Sequence, residues 1–254
     1  MVRTLRTTDG SVLPVDDLTG RPGAGSARAT VVLTVRQIRS LAVPAPSLAS
    51  LVAPATTAIV TSEVQNGVVG AQSALPALAE AAAPVIERLA VLLPAARQAG
   101  VRVVHATASR RADAAGSNEN ARLFLAVRKS PVALLPGSEA SEVVPELGPE
   151  PEDLVLNRLH GLNPMAGTDL DPILRNLGVG TLIVTGVSVN VAVTNLVMDA
   201  VNNGYQVVLP RDGVCGLPAA YADAVIDNTL SLLATVTTVD DLVAAWATTP
   251  EDPS

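Results

Sequence analysis

From Thr57 onward, short β-branched apolar runs alternate with longer stretches rich in Ala and Leu. The runs "TAIVTSE" (57–63), "VRVVHAT" (101–107), "DLVLNR" (153–158), "TLIVTG" (181–186), "YQVVLPRD" (205–212) and "ATVTTV" (234–239) predict strands. Between them, residues 75–100, 167–179, 191–204 and 219–234 repeat apolar side chains at i, i+3 and i+4, and several of these stretches end in Gly. That spacing predicts helices with one buried face, terminated where Gly accepts a left-handed backbone. The strand runs are apolar almost throughout, as strands buried on both faces must be. The alternation therefore predicts a three-layer α/β/α, doubly wound, mostly parallel sheet over residues 56–247.

The flanks do not follow this pattern. Residues 1–55 are rich in Gly, Pro, Thr and Ala and are expected to form an N-terminal arm or extension, with one short element around "TVVLTVRQIRSL". Residues 248–254 form a C-terminal tail. Inside the domain, residues 108–152 break the alternation as an irregular excursion, and long loops of that kind tend to serve function or interfaces.

Composition narrows the partners. The 254 residues are enough for one well-cored domain. A net charge of −7 and 2% aromatics argue against nucleic acid, which needs clustered cations and stacking surfaces. Two His and one Cys cannot build a Cys/His zinc site, and no calcium-loop spacing occurs, so no metal and no cofactor are expected. Apolar runs are broken before about 18 residues, which argues against a membrane span. The first 29 residues lack the apolar block of a signal peptide, so a cytoplasmic location is expected. Only 16% of residues are charged, so a surface rich in Ala and Val should favour a homo-oligomer built through the excursion or the arm. The expected partner is a small molecule.

In a doubly wound sheet, ligands bind beyond the C-terminal ends of the strands. Those ends gather Glu63, His105, Arg158 with His160, Ser188 to Asn190, and Arg211 with Asp212. A carboxylate after an apolar strand is either paired, with Arg158 the natural partner, or faces a cleft. His160 suits proton transfer near neutral pH, and Arg158 suits a bidentate grip on a carboxylate. In "GSNENARL", Asn118 and Asn120 either reach the pocket or cap the helix that follows, and capping is the expectation for both. Asp212 is expected to organise its turn through Arg211.

Two stretches, "AIVTSEVQNG" (58–67) and "GTDLDPILRNLGVGTLIVTGVSVNVAVTNLVMDAVNNGYQVVLPRDGVCG" (167–216), resemble the isochorismatase-like hydrolases, or cysteine hydrolase superfamily. In the amidases of that family an Asp base, a Lys and a Cys nucleophile do the chemistry. The resemblance puts Glu63 at the Asp position, Leu159 at the Lys position with Arg158 and His160 on either side, and Ala192 at the Cys position. It further implies that the amides of Ser188 and Ala192 hold a developing oxyanion beside a cis peptide. An Ala methyl cannot attack a carbonyl, so covalent thiolate chemistry at position 192 is excluded.

The resemblance thus implies a Cys-independent hydrolase, of the kind that cleaves a vinyl ether by acid catalysis. Its catalytic residues would be Glu63, Arg158 and His160, with Ser188 and Ala192 binding substrate; His105 and Asn118 are further substrate-binding candidates at the rim, His105 against the expectation of a hydrogen-bonded structural role. The alternative is an inactive relative serving as a ligand-binding or assembly module. An ordinary amidase would require Cys215 to reach the pocket.

Overall fold

The computed structural model describes residues 3–6, 12–15 and 46–247. Residues 1–46 and 47–254 form separate units. In the first, β1 (Arg3–Arg6) and β2 (Val12–Val15) pair antiparallel, Arg3 opposite Val15 and Arg6 opposite Val12. The element expected around residues 30–41 and the tail at 248–254 lie outside the described residues.

In the second unit the strand pattern has a direct structural meaning. Strand β3 (Thr57–Ser62) is buried along its whole length. Its Ile59 enters one apolar cluster while Ala58 and Val60 enter another. Strand β6 (Thr181–Val187) divides the same way, with Ile183 and Val187 on one face and Leu182 and Val184 on the other. Alternate side chains point to opposite faces, so a continuous apolar run is what a sheet with two covered faces requires. The first face is covered by α1 (Leu48–Leu51), α2 (Pro76–Gln98) and α7 (Val239–Ala247). The second is covered by α4 (Leu170–Asn176), α5 (Thr194–Asn202) and α6 (Ala219–Asn228). Helices α2, α4 and α5 stop before Gly100, Gly178 and Gly204, each with positive φ.

The remaining strands are β4 (Arg102–Ala108), β5 (Leu154–Arg158), β7 (Gln206–Pro210), β8 (Val214–Cys215) and β9 (Thr235–Thr237). All pairings in the sheet are parallel, in the order β5-β4-β3-β6-β7-β9, with β8 added beside β6. The three-layer α/β/α sheet is therefore the predicted one. Its order reverses direction between β3 and β6, and a crevice opens at the C-terminal ends of such a pair.

Two elements depart from the sequence pattern. The alternation gave no helix at 239–247, yet α7 buries Val239, Leu242, Ala245 and Trp246. Residues 47–55, grouped above with the extension, belong to this unit: Leu51 and Val52 are core residues, and Trp246 Nε1 donates to the Val52 carbonyl at 2.9 Å. Each segment is too short for periodicity to stand out, and each is stabilised by packing on the other.

Candidate active site

The crevice holds a cavity of about 730 Å³, in the range of small-molecule sites. The strand ends supply its floor. Glu63 follows β3 directly and takes φ +54°, a left-handed conformation that costs a non-Gly residue roughly 1–3 kcal/mol. Its amide donates to the Ala106 carbonyl at 3.0 Å, so the neighbouring strand fixes the turn. Arg158 ends β5 and is 6% exposed. Its Nη2 donates to Glu63 Oε1, while its Nε and Nη1 are buried without a partner. Two buried donors without an acceptor are costly, since buried polar groups are ordinarily hydrogen-bonded. Leu159 and His160 also line the cavity and are exposed, so it is Arg158 that meets Glu63.

The opposite wall is the strand-to-helix turn after β6. The Val187–Ser188 peptide is cis, and Val189–Val193 forms a single π-helical turn before α5. The Ser188 carbonyl accepts the amides of Val191 and Val193 at 3.0 and 3.1 Å, and its hydroxyl bonds to Asn190 Oδ1. Ala192 is buried at 3% exposure and lines the cavity together with Ser188 and Asn190. Close contact between β3 and β6 requires Gly186: a Cβ there would lie 2.3 Å from the Ser62 carbonyl oxygen.

The excursion after β4 supplies the third wall. Its helix α3 (Arg122–Arg128) has no buried residue, and Leu123, Phe124 and Val127 border the cavity. Asn118 caps no helix, contrary to expectation. Its Oδ1 instead accepts the Gly161 amide at 2.8 Å and ties the excursion to the segment after β5. Asn120 does not cap α3 either, because Ala121 takes the N-cap position.

His105 is a correction. It lies within β4 rather than beyond it, is fully buried, and is absent from the cavity wall. Its Nδ1 meets Thr61 Oγ1 at 2.9 Å, and Nε2 stands 3.4 Å from Asp153 Oδ2. Burial pushes its pKa below the ordinary value, against the opposing pull of Asp153. Burial acts most strongly and would raise Asp153, but Arg97, whose Nη2 is 2.6 Å away, and the Glu150 amide together outweigh it and hold that carboxyl below its ordinary value. His105 is thus a core residue that lies off the cavity wall. Asp212 also differs from expectation. It accepts from Arg88 Nε and the Val239 amide, both at 2.9 Å, whereas Arg211 turns to Asp223 and Asp227. Cys215 is half-buried, lies off the cavity wall, and burial pushes its thiol up to about 11. Among the described residues no three His, Cys, Asp or Glu side chains gather to hold a metal ion, and no helix is long and apolar enough to cross a membrane.

A carboxylate and a strand-to-helix turn line one cavity at the switch point of a doubly wound α/β domain. Residues 57–241 match the family model described as the Isochorismatase domain, and the chain belongs to the isochorismatase family. Ureidoacrylate amidohydrolase RutB of Pantoea ananatis is 29% identical over 160 residues, covering 58% of this chain and 64% of the relative. The enzyme of the same name from Methylorubrum extorquens (strain ATCC 14718 / DSM 1338 / JCM 2805 / NCIMB 9133 / AM1) is 32% identical over 152 residues, covering 55% and 61%. The chain spans about three fifths of the length of these curated relatives. A solved isochorismatase family protein from Burkholderia thailandensis superposes with a TM-score of 0.65 at 29% identity, covering 76% of this chain and 97% of its own.

Proposed function

We propose that this protein is a hydrolase of a small carboxylated substrate and works without a covalent intermediate at position 192. The observation that supports this most is the Glu63–Arg158 pair on the floor of an open cavity whose opposite wall carries Ala192. Glu63 donates a proton to the substrate, as in vinyl-ether cleavage, where the proton adds to the terminal vinyl carbon. The oxocarbenium ion so formed takes up water and loses a proton. The resulting hemiketal then collapses to a carbonyl compound and an alcohol. Arg158 stays beside the carboxylate that the proton leaves behind. His160, exposed on the same wall, exchanges protons with solvent and restores the acid. The amides of Ser188 and Ala192 favour negative charge on a substrate oxygen, a role that needs no side chain.

The names of the curated relatives support hydrolysis of a small substrate and add amide cleavage to the candidates. The test incubates the protein with isochorismate, a panel of vinyl ethers and ureidoacrylate, comparing wild type with Glu63→Gln. Turnover of at least one compound, falling about 100-fold or more in the variant, is expected. Because Glu63→Gln leaves Arg158 buried without its anion, urea unfolding is measured alongside to separate lost chemistry from lost structure. No turnover of any compound favours the second reading, a ligand-binding module, which draws support from the closure of Glu63 onto Arg158. Activity that survives in Glu63→Gln but ends on alkylation of Cys215 would replace the acid mechanism with a thiol one.

A further inference from the structure

Five charged side chains line the cavity: the acids Glu63 and Glu119 and the cations Arg110, Arg128 and Arg158. Four of them are paired, Glu63 with Arg158 and Glu119 with Arg128. Arg110 is left over, and among the described residues its guanidinium has no ion pair and no hydrogen bond. The rest of the wall is largely apolar, with Leu75, Leu123, Phe124, Val127 and Leu134 among its residues. A lone cation on an apolar wall attracts one negative charge, and water there competes weakly for it.

The backbone of Arg110 is fixed although its side chain is unpaired. The Ser109 amide donates to the Arg158 carbonyl at 2.9 Å, and the Arg110 amide donates to the Leu134 carbonyl at 2.8 Å. Ala108 is the register partner of Arg158, so Arg110 lies two residues further along the same strand direction. Strand β4 ends at Ala108, and the Ser109 amide carries its pairing with β5 one step further, so both arginines stand at the C-terminal edge of neighbouring chains and line the same cavity. Arg158 is the inner one, already engaged with Glu63, and Arg110 is the outer one.

We infer that Arg110 is the residue that anchors the substrate's anionic group and so determines specificity for a monoanionic substrate with an apolar body. Its reacting atoms then point inward to Glu63 and the Ser188–Ala192 turn. Arg158 serves the reacting end, not the carboxylate. This deepens the proposed function and rests on its reading of the cavity as the substrate site.

The test uses two probes of equal shape, benzoate and neutral benzamide, titrated calorimetrically into the full chain. Wild type is expected to bind benzoate at least tenfold more tightly than benzamide. Arg110→Gln should bring the two within twofold while leaving benzamide affinity unchanged, and Arg110→Lys should retain most of the preference. Among the described residues no ion pair or hydrogen bond of the Arg110 side chain is lost in these variants, and a thermal melt of each checks that the fold is kept. Equal binding of both probes by wild type, or a preference that survives Arg110→Gln, would overturn the assignment while leaving the cavity reading intact. Binding of neither probe would overturn the cavity reading itself, and the role of Arg110 with it.

Discussion

Placing Ala at Gly186 tests the contact that holds the two halves of the site together. Gly186 sits opposite Ser62 in the β3–β6 register, at φ +92°. A Cβ there would stand 2.3 Å from the Ser62 carbonyl oxygen and 2.8 Å from its nitrogen. The first separation is roughly 1 Å short of an ordinary C···O contact of about 3.3 Å. Both obstructing atoms are main chain, so no side chain can rotate away.

Two other glycines separate the contributions. Gly178 has φ +70° and nothing within 4 Å of where a Cβ would stand, so Ala there meets only left-handed strain, about 1–2 kcal/mol. Gly180 has neither strain nor neighbours, and Ala there should be neutral or stabilising by up to about 1 kcal/mol. Gly186→Ala adds overpacking of about 1–3 kcal/mol to the same strain, giving a loss of about 2–5 kcal/mol. For a domain of this size that lowers Tm by roughly 10 °C. Urea unfolding of the three variants, with equal m-values, gives the comparison. A Gly186→Ala loss within about 1 kcal/mol of Gly178→Ala would refute the steric argument, since strain alone would then account for both.

Two further outcomes follow from groups already described. His105 has a folded-state pKa below its ordinary value of 6.5, so below that pH the unfolded chain binds the proton more readily. Stability should fall as pH drops from about 6.5 toward 5, by at most about 1.4 kcal/mol per pH unit, and His105→Gln should flatten that slope in urea titrations. An unchanged slope would mean that His105 is accessible to protons in the fold. Ala192→Cys should place a thiol on the cavity wall that iodoacetamide alkylates at least tenfold faster than Cys215, whose thiol burial raises to about 11. Comparable rates would show that position 192 does not face the cavity.

The architecture was legible because strand burial and helix periodicity are local signals. The six apolar runs became β3, β4, β5, β6, β7 and β9, each within a few residues of its expected ends. The site was legible in part. Glu63, Arg158, His160, Ser188, Ala192 and Asn118 all line one cavity, since each follows a strand end or lies in the excursion beside it. His105 was misplaced although the run 101–107 already enclosed it, because a sequence does not tell that its ring turns to Thr61 and Asp153 and away from the cavity. Arg110 was missed for the opposite reason. Its importance lies in what it fails to contact: the Glu63–Arg158 pair could be read from the strand ends, but no pattern along the chain records that Glu119 is claimed by Arg128. A faint signal was present in "SRRADAAG", where Arg110 and Arg111 stand next to each other at the end of a strand and Asp113 answers only one of them.

The switch point between β3 and β6 has a consequence for how this protein can change over generations. Glu63, Arg110 and Arg158 all issue from the half of the sheet formed by β3, β4 and β5. The Ser188–Ala192 turn issues from the half that begins with β6. Each half sends its own loops into the crevice, so side chains there can be exchanged on one bank without moving the other. The shape of the cavity, however, depends on the registration of the two halves, which is fixed along a single seam of main-chain pairs from Thr57–Thr181 to Ser62–Gly186. Groups on either bank can thus be exchanged one at a time, whereas any change along the seam shifts both banks at once.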